Sequence, residues 1–274
     1  MKIGVIGTGN LASAVIGGAV RSGRISGEAF IVYDIFSEKA RACCERFGAS
    51  AADSAQQIAE TCDVVILAVK PKDFAALLSA LSPALEANDP LIVSVAAGLS
   101  IEYLTGFLGY APRIARIMTN INAAVCGAMT AYCVGARVTA QDAAFLDSFC
   151  KSFGDAIALE ESLFAQFGVL AGCVPAFAYK FVDEIARAGV QIGVRKDLAL
   201  RIAAQTVLGS AQVVAEDDAH PYALIDRVCT PGGTTIDGIA ALDALGFNDA
   251  VHQAVVRSFE KDIALAKAKE KDQK

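Results

Sequence analysis

The chain has 274 residues, room for one large or two ordinary domains. It is 54% hydrophobic with no tryptophan and few aromatics, so Ala, Val, Ile and Leu must fill much of the core, which suits helices packed on a parallel sheet. The formal net charge is −6 and no long basic run precedes the tail, which leaves a nucleic-acid partner without electrostatic support; no uninterrupted apolar run reaches the roughly 18 residues that span a bilayer, so no membrane-crossing helix is expected.

Lys2 to Ile6 reads as a short apolar strand, and Leu11 to Arg21 as a helix of small residues ended by Gly23. Ala29 to Tyr33 is a second strand, followed by a helix from Ser37 to Phe47 with Gly48 just past it. Ser54 to Thr61 is a short helix. Asp63 to Val69 is a strongly apolar strand broken by Lys70-Pro71. Asp73 to Leu81 is helical, Leu91 to Val95 a strand, Ser100 to Leu108 helical and Arg113 to Met118 a strand. Two further strand-like runs, near Ala124 to Val134 and Ala156 to Leu159, extend the edge. This alternation predicts an α/β, doubly wound, mostly parallel sheet of the Rossmann type over residues 1–160.

After about Glu160 no strand signal remains. Phe177, Phe181, Val182 and Ile185 share one helical face, as do Leu198, Ile202 and Thr206, and again Val251, Val255, Phe259 and Ile263. Residues 161–274 therefore read as an all-α domain. The stretch from Leu198 to Val214 is apolar on more than one side, which fits burial against a second subunit or within its own domain. Ala266 to Lys274 is charged and is expected to fray.

Met1 to Asn10 reads as a strand and a glycine turn rather than a signal peptide, so the expected location is cytoplasmic. Eight cysteines contain no Cys-x-x-Cys pair and only two histidines exist, so no zinc or other metal site is expected. The plain reading of the cysteines is buried, reduced thiols.

Gly7-Thr8-Gly9-Asn10-Leu11-Ala12 follows the first strand and opens the first helix. This is Gly-x-Gly-x-x-Ala in the context that the dinucleotide fingerprint requires. Gly7 permits the tight turn, Gly9 lets the backbone approach a pyrophosphate, and Ala12 keeps helix and strand close. The helix N-terminus then faces the phosphates. Asp34 closes the second strand about 20 residues further on, where a carboxylate can bind the adenosine ribose hydroxyls and repel a 2′-phosphate. That favours NADH; a plain capping or turn aspartate is the alternative. Ala68-Val69-Lys70-Pro71 and Ala96-Ala97-Gly98 end the next two strands, where ligands bind in such sheets. Small residues there leave room for the nicotinamide ribose. Lys70 either reaches its hydroxyls or is a solvated loop lysine.

Far downstream lies Thr230-Pro231-Gly232-Gly233-Thr234-Thr235. Glycines let backbone N–H groups approach a ligand, N–H groups at a helix start hold carboxylates, and three threonine hydroxyls donate and accept. The stretch reads as a small-anion seat with a proton donor. A helix-opening turn, with Thr-Pro as cap and first residue, is the alternative.

With these pieces in order the chain resembles the pyrroline-5-carboxylate reductase family. The resemblance is carried by Gly7 to Ala12, Ala68 to Pro71, Val93 to Gly98, Arg116-Ile117-Met118-Thr119-Asn120, Pro175-Ala176, His220-Pro221 and Val228 to Ile236. The last stretch matches the family signature and is the most specific. The resemblance implies an N-terminal Rossmann domain, a C-terminal helical domain that interlocks two subunits, and dimers that often build decamers. It implies reduction of the cyclic imine 1-pyrroline-5-carboxylate to L-proline with NADPH or NADH, the last step of proline synthesis. It places the substrate carboxylate on the N–H groups of Gly232, Gly233, Thr234 and Thr235 and the hydroxyls of Thr230 and Thr234. Thr235 would donate to the ring nitrogen as the catalytic residue. Asn120 would lie among the cofactor-binding residues. No metal is required.

Three departures stand out. The family usually has Ser-Gly-Ser-Gly/Ser-Pro-Ala where this chain has Ala171-Gly172-Cys173-Val174-Pro175-Ala176. It tends to have Met-Pro/Thr-Asn-Thr-Pro where this chain has Met118-Thr119-Asn120-Ile121-Asn122. NADPH-using relatives tend to have Ser, Asn, Thr or Arg in the region of Asp34. The Ala171 to Val174 run motivates one alternative, a paralogue reducing another cyclic imino acid, such as a piperideine carboxylate; a nucleotide-binding regulatory protein with little catalysis is a further alternative, against which the intact Thr230 to Thr235 run argues.

Overall fold

The computed structural model describes the backbone of residues 1–271 and side chains through residue 265. The chain divides into two compact units: Met1–Gly172, to which the described residues from Asp262 onward are assigned, and Cys173–Lys261.

The first unit is an eight-stranded sheet built on β1 (Ile3–Ile6), β2 (Phe30–Tyr33), β3 (Ser50–Ala51), β4 (Val64–Leu67), β5 (Leu91–Ser94), β6 (Ile114–Met118), β7 (Ala128–Val134) and β8 (Gly154–Ala158). Their order is β3-β2-β1-β4-β5-β6-β7-β8. β1 pairs in parallel with β2 on one side and β4 on the other, so the order reverses at β1. Only β6–β7 is antiparallel, while β7–β8 is again parallel. The link through residues 119–127 is shorter than the dozen or so residues a parallel crossover needs, so the chain can only turn back.

Helices cover both faces. α1 (Asn10–Arg21), α2 (Ser37–Phe47) and α6 (Ala140–Lys151) enclose a core with Ile3, Val5, Val64, Ile66, Leu91 and Val93. α3 (Ala55–Thr61), α4 (Phe74–Asn88) and α5 (Ile101–Thr105) enclose a second core with Ile6, Val65, Leu67, Ile92 and Ile114. Alternate residues of each strand point to opposite cores, which is why the strands read as unbroken apolar runs. α1 lies so close to the turn at Ala123 that a Cβ on Gly18 would meet its carbonyl oxygen.

The boundaries differ from expectation in places. α4 continues through Pro83 to Asn88, because Leu81, Ala84 and Leu85 are buried and packing outweighs the lost backbone hydrogen bond. α6 was not expected; a capping box of Thr139 and Asp142 starts it. Two runs expected at the edge form β7 and β8.

After β8, α7 (Phe164–Phe167) leads into a π turn, Gly168–Cys173. The second unit then holds α8 (Val174–Gln191), α9 (Lys196–Glu216), α10 (Pro221–Val228), α11 (Thr234–Ala244) and the start of α12 (Phe247–Lys271). α8 and α9 meet through small residues: Ala186, Ala199 and Ala203 are buried, and Gly189 packs on Ala199. α9 leaves Leu198, Ile202, Leu208, Val213 and Val214 exposed. The charged tail expected to fray is helical in backbone through Lys271; residues 272–274 lie outside the described residues.

Two helical stretches, Glu161–Gln191 and Lys196–Glu216, are long and apolar enough to cross a membrane by length and composition alone. Sequence inspection missed them because Ser162 and Gln166 in the first, and Arg201 and Gln205 in the second, interrupt the apolar run while leaving its average high.

Candidate active site

The strand order sets the carboxyl ends of β2, β1, β4 and β5 side by side. Each carries one of the nucleotide segments expected from sequence. Gly7 leaves β1 with φ +97°, and a Cβ there would stand 2.6 Å from the carbonyl oxygen of Ala68. Only glycine permits that turn against β4. Gly9 is the N-cap of α1 with no side-chain cap, and a Cβ there would meet nothing within 4 Å. No side chain caps the first N–H groups of α1, at Asn10, Leu11 and Ala12, and the N-cap itself stands beside open space, which suits an anion. Ala12 is buried against the sheet.

Asp34 lies directly after β2 and faces this loop. One carboxylate oxygen accepts from the N–H of Thr8 at 2.8 Å and from its hydroxyl at 3.1 Å; the other accepts from the N–H of Phe36 at 3.0 Å. The side chain therefore braces the glycine loop and turns the chain after β2. Ala68 and Val69 are half-buried past β4, and Lys70 is exposed ahead of Pro71. Past β5, Ala96 is buried, while Ala97 and Gly98 are exposed.

Asn120 is buried after β6. Its amide oxygen accepts from the N–H of Asn122 at 3.0 Å, and its amide nitrogen donates to the carbonyl of Ala171 at 2.9 Å. Both ends of this expected cofactor residue are engaged within the protein. Thr119 is buried with its hydroxyl paired to that of Thr130.

Sequence reasoning gave no role to Arg116, and its partner Glu161 went unnoticed. Arg116 sits on β6 with 5% of its side chain exposed, pairs with Glu161, and lies over the Phe164 ring. The same Glu161 oxygen accepts from the N–H of Ile101 at 2.8 Å, the first residue of α5. Three segments thus meet at one carboxylate: β6, the chain after the Ala96–Gly98 loop, and the approach to α7. The signal was present, since an arginine inside an apolar strand needs a buried partner. Removing Glu161 strands a buried guanidinium. Glu161→Ala is expected to cost about 2–3 kcal/mol, below the range for fully enclosed pairs because Glu161 is about a third exposed. Chemical denaturation measures this; an unchanged midpoint would show the pair to be immaterial.

In the second unit, Thr230 to Gly233 form a tight turn closed by the N–H of Gly233 on the carbonyl of Thr230 at 2.9 Å, with Gly232 at φ +69°. Pro then Gly at the central positions is the signature of a type II turn. The helix starts at Thr234 with Gly233 as N-cap and no side-chain cap, so the first free N–H groups belong to Thr234, Thr235 and Ile236. The N–H of Gly233, expected to face a ligand, is spent inside the turn. Nor do Thr230-Pro231 act as cap and first residue. A Cβ on Gly233 would stand 2.3 Å from the Thr230 hydroxyl, so that hydroxyl lies directly over the glycine. His220 caps α10, its Nδ1 accepting from the N–H of Tyr222.

All eight cysteines are free thiols. Burial pushes Cys43 up to about 11, and burial with the nearby Glu161 carboxylate pushes Cys133 up to about 11, so neither is a nucleophile at neutral pH.

Two family models divide the chain. "Pyrroline-5-carboxylate reductase dimerisation" matches residues 161–265, and "NADP oxidoreductase coenzyme F420-dependent" matches residues 2–98. A pyrroline-5-carboxylate reductase of Escherichia coli (strain K12) is 38% identical over 97% of this chain and 99% of its own length. The chain belongs to the pyrroline-5-carboxylate reductase family. Two solved structures of the family agree in fold. The enzyme of Streptococcus pyogenes is 35% identical with a TM-score of 0.83 over 96% of this chain and 98% of that one. The pyrroline carboxylate reductase of Plasmodium falciparum, with NADP bound, is 27% identical with a TM-score of 0.86 over 97% and 98%.

As a pyrroline-5-carboxylate reductase family member, the chain is an oxidoreductase with a nicotinamide-dinucleotide fold followed by a helical dimerisation region. That region includes both apolar stretches in full, together with the exposed leucines and valines of α9.

Proposed function

We propose that this protein reduces 1-pyrroline-5-carboxylate to L-proline, closing proline synthesis. The observation that carries the reading is the start of α11. A type II turn delivers an uncapped helix N-terminus, flanked by threonine hydroxyls, within the stretch that matches the family signature. Such an end suits one carboxylate. The N–H groups of Thr234 and Thr235 bind the substrate carboxylate, the hydroxyls of Thr230 and Thr234 flank it, and Gly232 and Gly233 shape the approach. Thr235 donates to the ring nitrogen. A bound nicotinamide would supply a hydride to the imine carbon, and the nitrogen, receiving the C=N π electrons, would take its proton from Thr235. The cofactor supplies the hydride; the protein holds and orients.

Gly7, Thr8, Gly9, Asn10 and Leu11 form the phosphate loop, and Ala68, Val69, Lys70, Pro71, Ala96, Ala97 and Gly98 flank the nicotinamide ribose. In this reading residues 1–160 hold the cofactor, and residues 161–274 hold the substrate and pair two copies into a homodimer, with a decamer as the larger assembly. The protein works in the cytoplasm, without membrane or nucleic acid. Steady-state assays of the purified protein with 1-pyrroline-5-carboxylate and each cofactor test this; no substrate-dependent NAD(P)H oxidation would end it.

NADH is the preferred cofactor. Asp34 is held by two hydrogen bonds from Thr8 of the glycine loop and a third from the N–H of Phe36, which fixes its carboxylate at the end of β2, where a 2′-phosphate would lie. Asp34→Asn is expected to raise kcat/KM for NADPH about tenfold, or about 1.4 kcal/mol, and to change the NADH value less. A wild type that prefers NADPH would overturn this.

A further inference from the structure

Arg116 lies in the row of the sheet from which the nucleotide segments leave. Tyr33, Ile6, Leu67 and Ser94 end β2, β1, β4 and β5 and stand side by side in register. Ser94 in turn pairs with Arg116 of β6. Ile114, two residues before Arg116, packs in the core under α3, α4 and α5, so the arginine side chain leaves the sheet on that same face. There it meets Glu161, which arrives just past β8. One oxygen of Glu161 accepts both from Arg116 and from the N–H of Ile101.

The consequence falls on the loop from β5 to α5. At its start the N–H of Ala96 donates to the Ser94 hydroxyl at 3.2 Å. Near its end Leu99 is buried and Ile101 is tied to Glu161. Between these anchors Ala97 and Gly98 are exposed, with Gly98 at φ +74°. The fixed ends decide where that exposed pair stands.

We propose that Glu161 is a positioning residue for the cofactor. Fastened by Arg116, it holds the N–H of Ile101 and so sets Ala97 and Gly98 in place for the nicotinamide ribose. The inference rests on the reading of Ala96–Gly98 as a cofactor segment. Glu161 acts through the loop, its carboxylate oxygen spent on Arg116 and Ile101. The charge-assisted bond from a buried guanidinium leaves that oxygen little freedom to turn away.

Two pairs of variants separate the clamp from stability. Ile101 is the first residue of α5, where proline is tolerated, and Ser100 before it has φ −77° and ψ 161°, which suit a residue preceding proline. Ile101→Pro thus removes the N–H and leaves the Arg116–Glu161 pair, whereas Ile101→Ala loses the same side chain and keeps the N–H. Glu161→Ala removes both bonds, whereas Glu161→Gln keeps an oxygen able to accept both and loses only the charge. Thermal midpoint, NADH affinity by fluorescence titration and ADP affinity by calorimetry are measured on each, the affinities well below the lowest midpoint. ADP carries the adenosine and pyrophosphate without the nicotinamide ribose. Ile101→Pro and Glu161→Ala are expected to weaken NADH about tenfold, the worth of one bond to a charged group, and to bind ADP within about twofold of wild type. Ile101→Ala and Glu161→Gln should bind both within about threefold of wild type, even where their midpoints fall by a few degrees. Equal losses of NADH and ADP would show a general loosening of the sheet and overturn the proposal. So would Ile101→Pro binding NADH as Ile101→Ala does, or Glu161→Gln as weak as Glu161→Ala. A wild type that does not bind NADH removes the cofactor reading and this inference with it. A wild type that binds NADH without turning over the imine ends the reductase reading alone, and the NADH and ADP comparison still decides the role of Glu161.

Discussion

Gly7→Ala is expected to cost about 2–5 kcal/mol of stability and to abolish tight cofactor binding. Two costs add. A side chain at φ +97° pays roughly 1–2 kcal/mol of backbone strain. Its methyl would also stand 2.6 Å from the oxygen and 2.8 Å from the carbon of the Ala68 carbonyl, and overpacking of this kind costs about 1–3 kcal/mol. The obstructing atoms are backbone at the end of β4, so they cannot swing aside as a side chain would. Gly9→Ala makes the contrast. Its φ of −67° suits any residue and its surroundings are open, so stability should change by less than about 1 kcal/mol, the difference between glycine and alanine as N-cap. The methyl would instead occupy the space through which a pyrophosphate reaches the first N–H groups of α1, and NADH affinity should fall about tenfold or more. Thermal unfolding and fluorescence titration on both variants separate the effects. Equal losses of stability would show that Gly9 is a turn residue like Gly7; unchanged affinity in Gly9→Ala would remove the phosphate loop from the reading.

The difference between these glycines illustrates what the sequence could and could not say. The fingerprint from Gly7 to Ala12 is local, so its fold was legible: strand, turn and helix follow within one stretch of chain. The central strands were legible because burial on both faces leaves continuous apolar runs such as Val64 to Leu67. β3 escaped notice because two residues carry no period. α4 was read as ending at Leu81, since Pro83 predicts a break and only the buried Leu85 side explains its continuation. α6 was findable from the Thr139–Asp142 box, a short-range signal. What stayed hidden is long-range. Asp34 was placed correctly at the end of a strand, but its bonds to Thr8 depend on how β1 and β2 pair. The Arg116–Glu161 pair and the Asn120–Ala171 bond each join residues far apart in sequence, and no local pattern encodes either. Around Thr230–Thr235 the start of the helix differs from expectation: Pro231 and Gly232 form a turn, which moves the helix start to Thr234 and consumes the Gly233 N–H.

That shift sharpens what is expected of Thr235. It is the second residue of α11 and is exposed, and Gly233 rather than a side chain caps the helix, so its hydroxyl has no capping duty to lose. Thr235→Ala should therefore change stability by no more than about 0.5 kcal/mol. Loss of a positioned proton donor typically costs about a hundredfold in rate, near 2.7 kcal/mol of transition-state stabilisation, and kcat should fall by about that factor with NADH affinity unchanged. Thr235→Ser keeps the hydroxyl and should recover activity to within a few fold, whereas Thr235→Val keeps the shape and should not. The pH dependence gives an independent sign. An imine already protonated in solution needs no donor, so the deficit of Thr235→Ala relative to wild type should shrink as pH falls and widen as pH rises. If the hydroxyl served only to position the carboxylate, the loss would appear in the imine KM and would not narrow at low pH. A Thr235→Ala protein with wild-type kcat and KM would leave the ring nitrogen without a donor from α11, and Thr234 or water would have to deliver the proton.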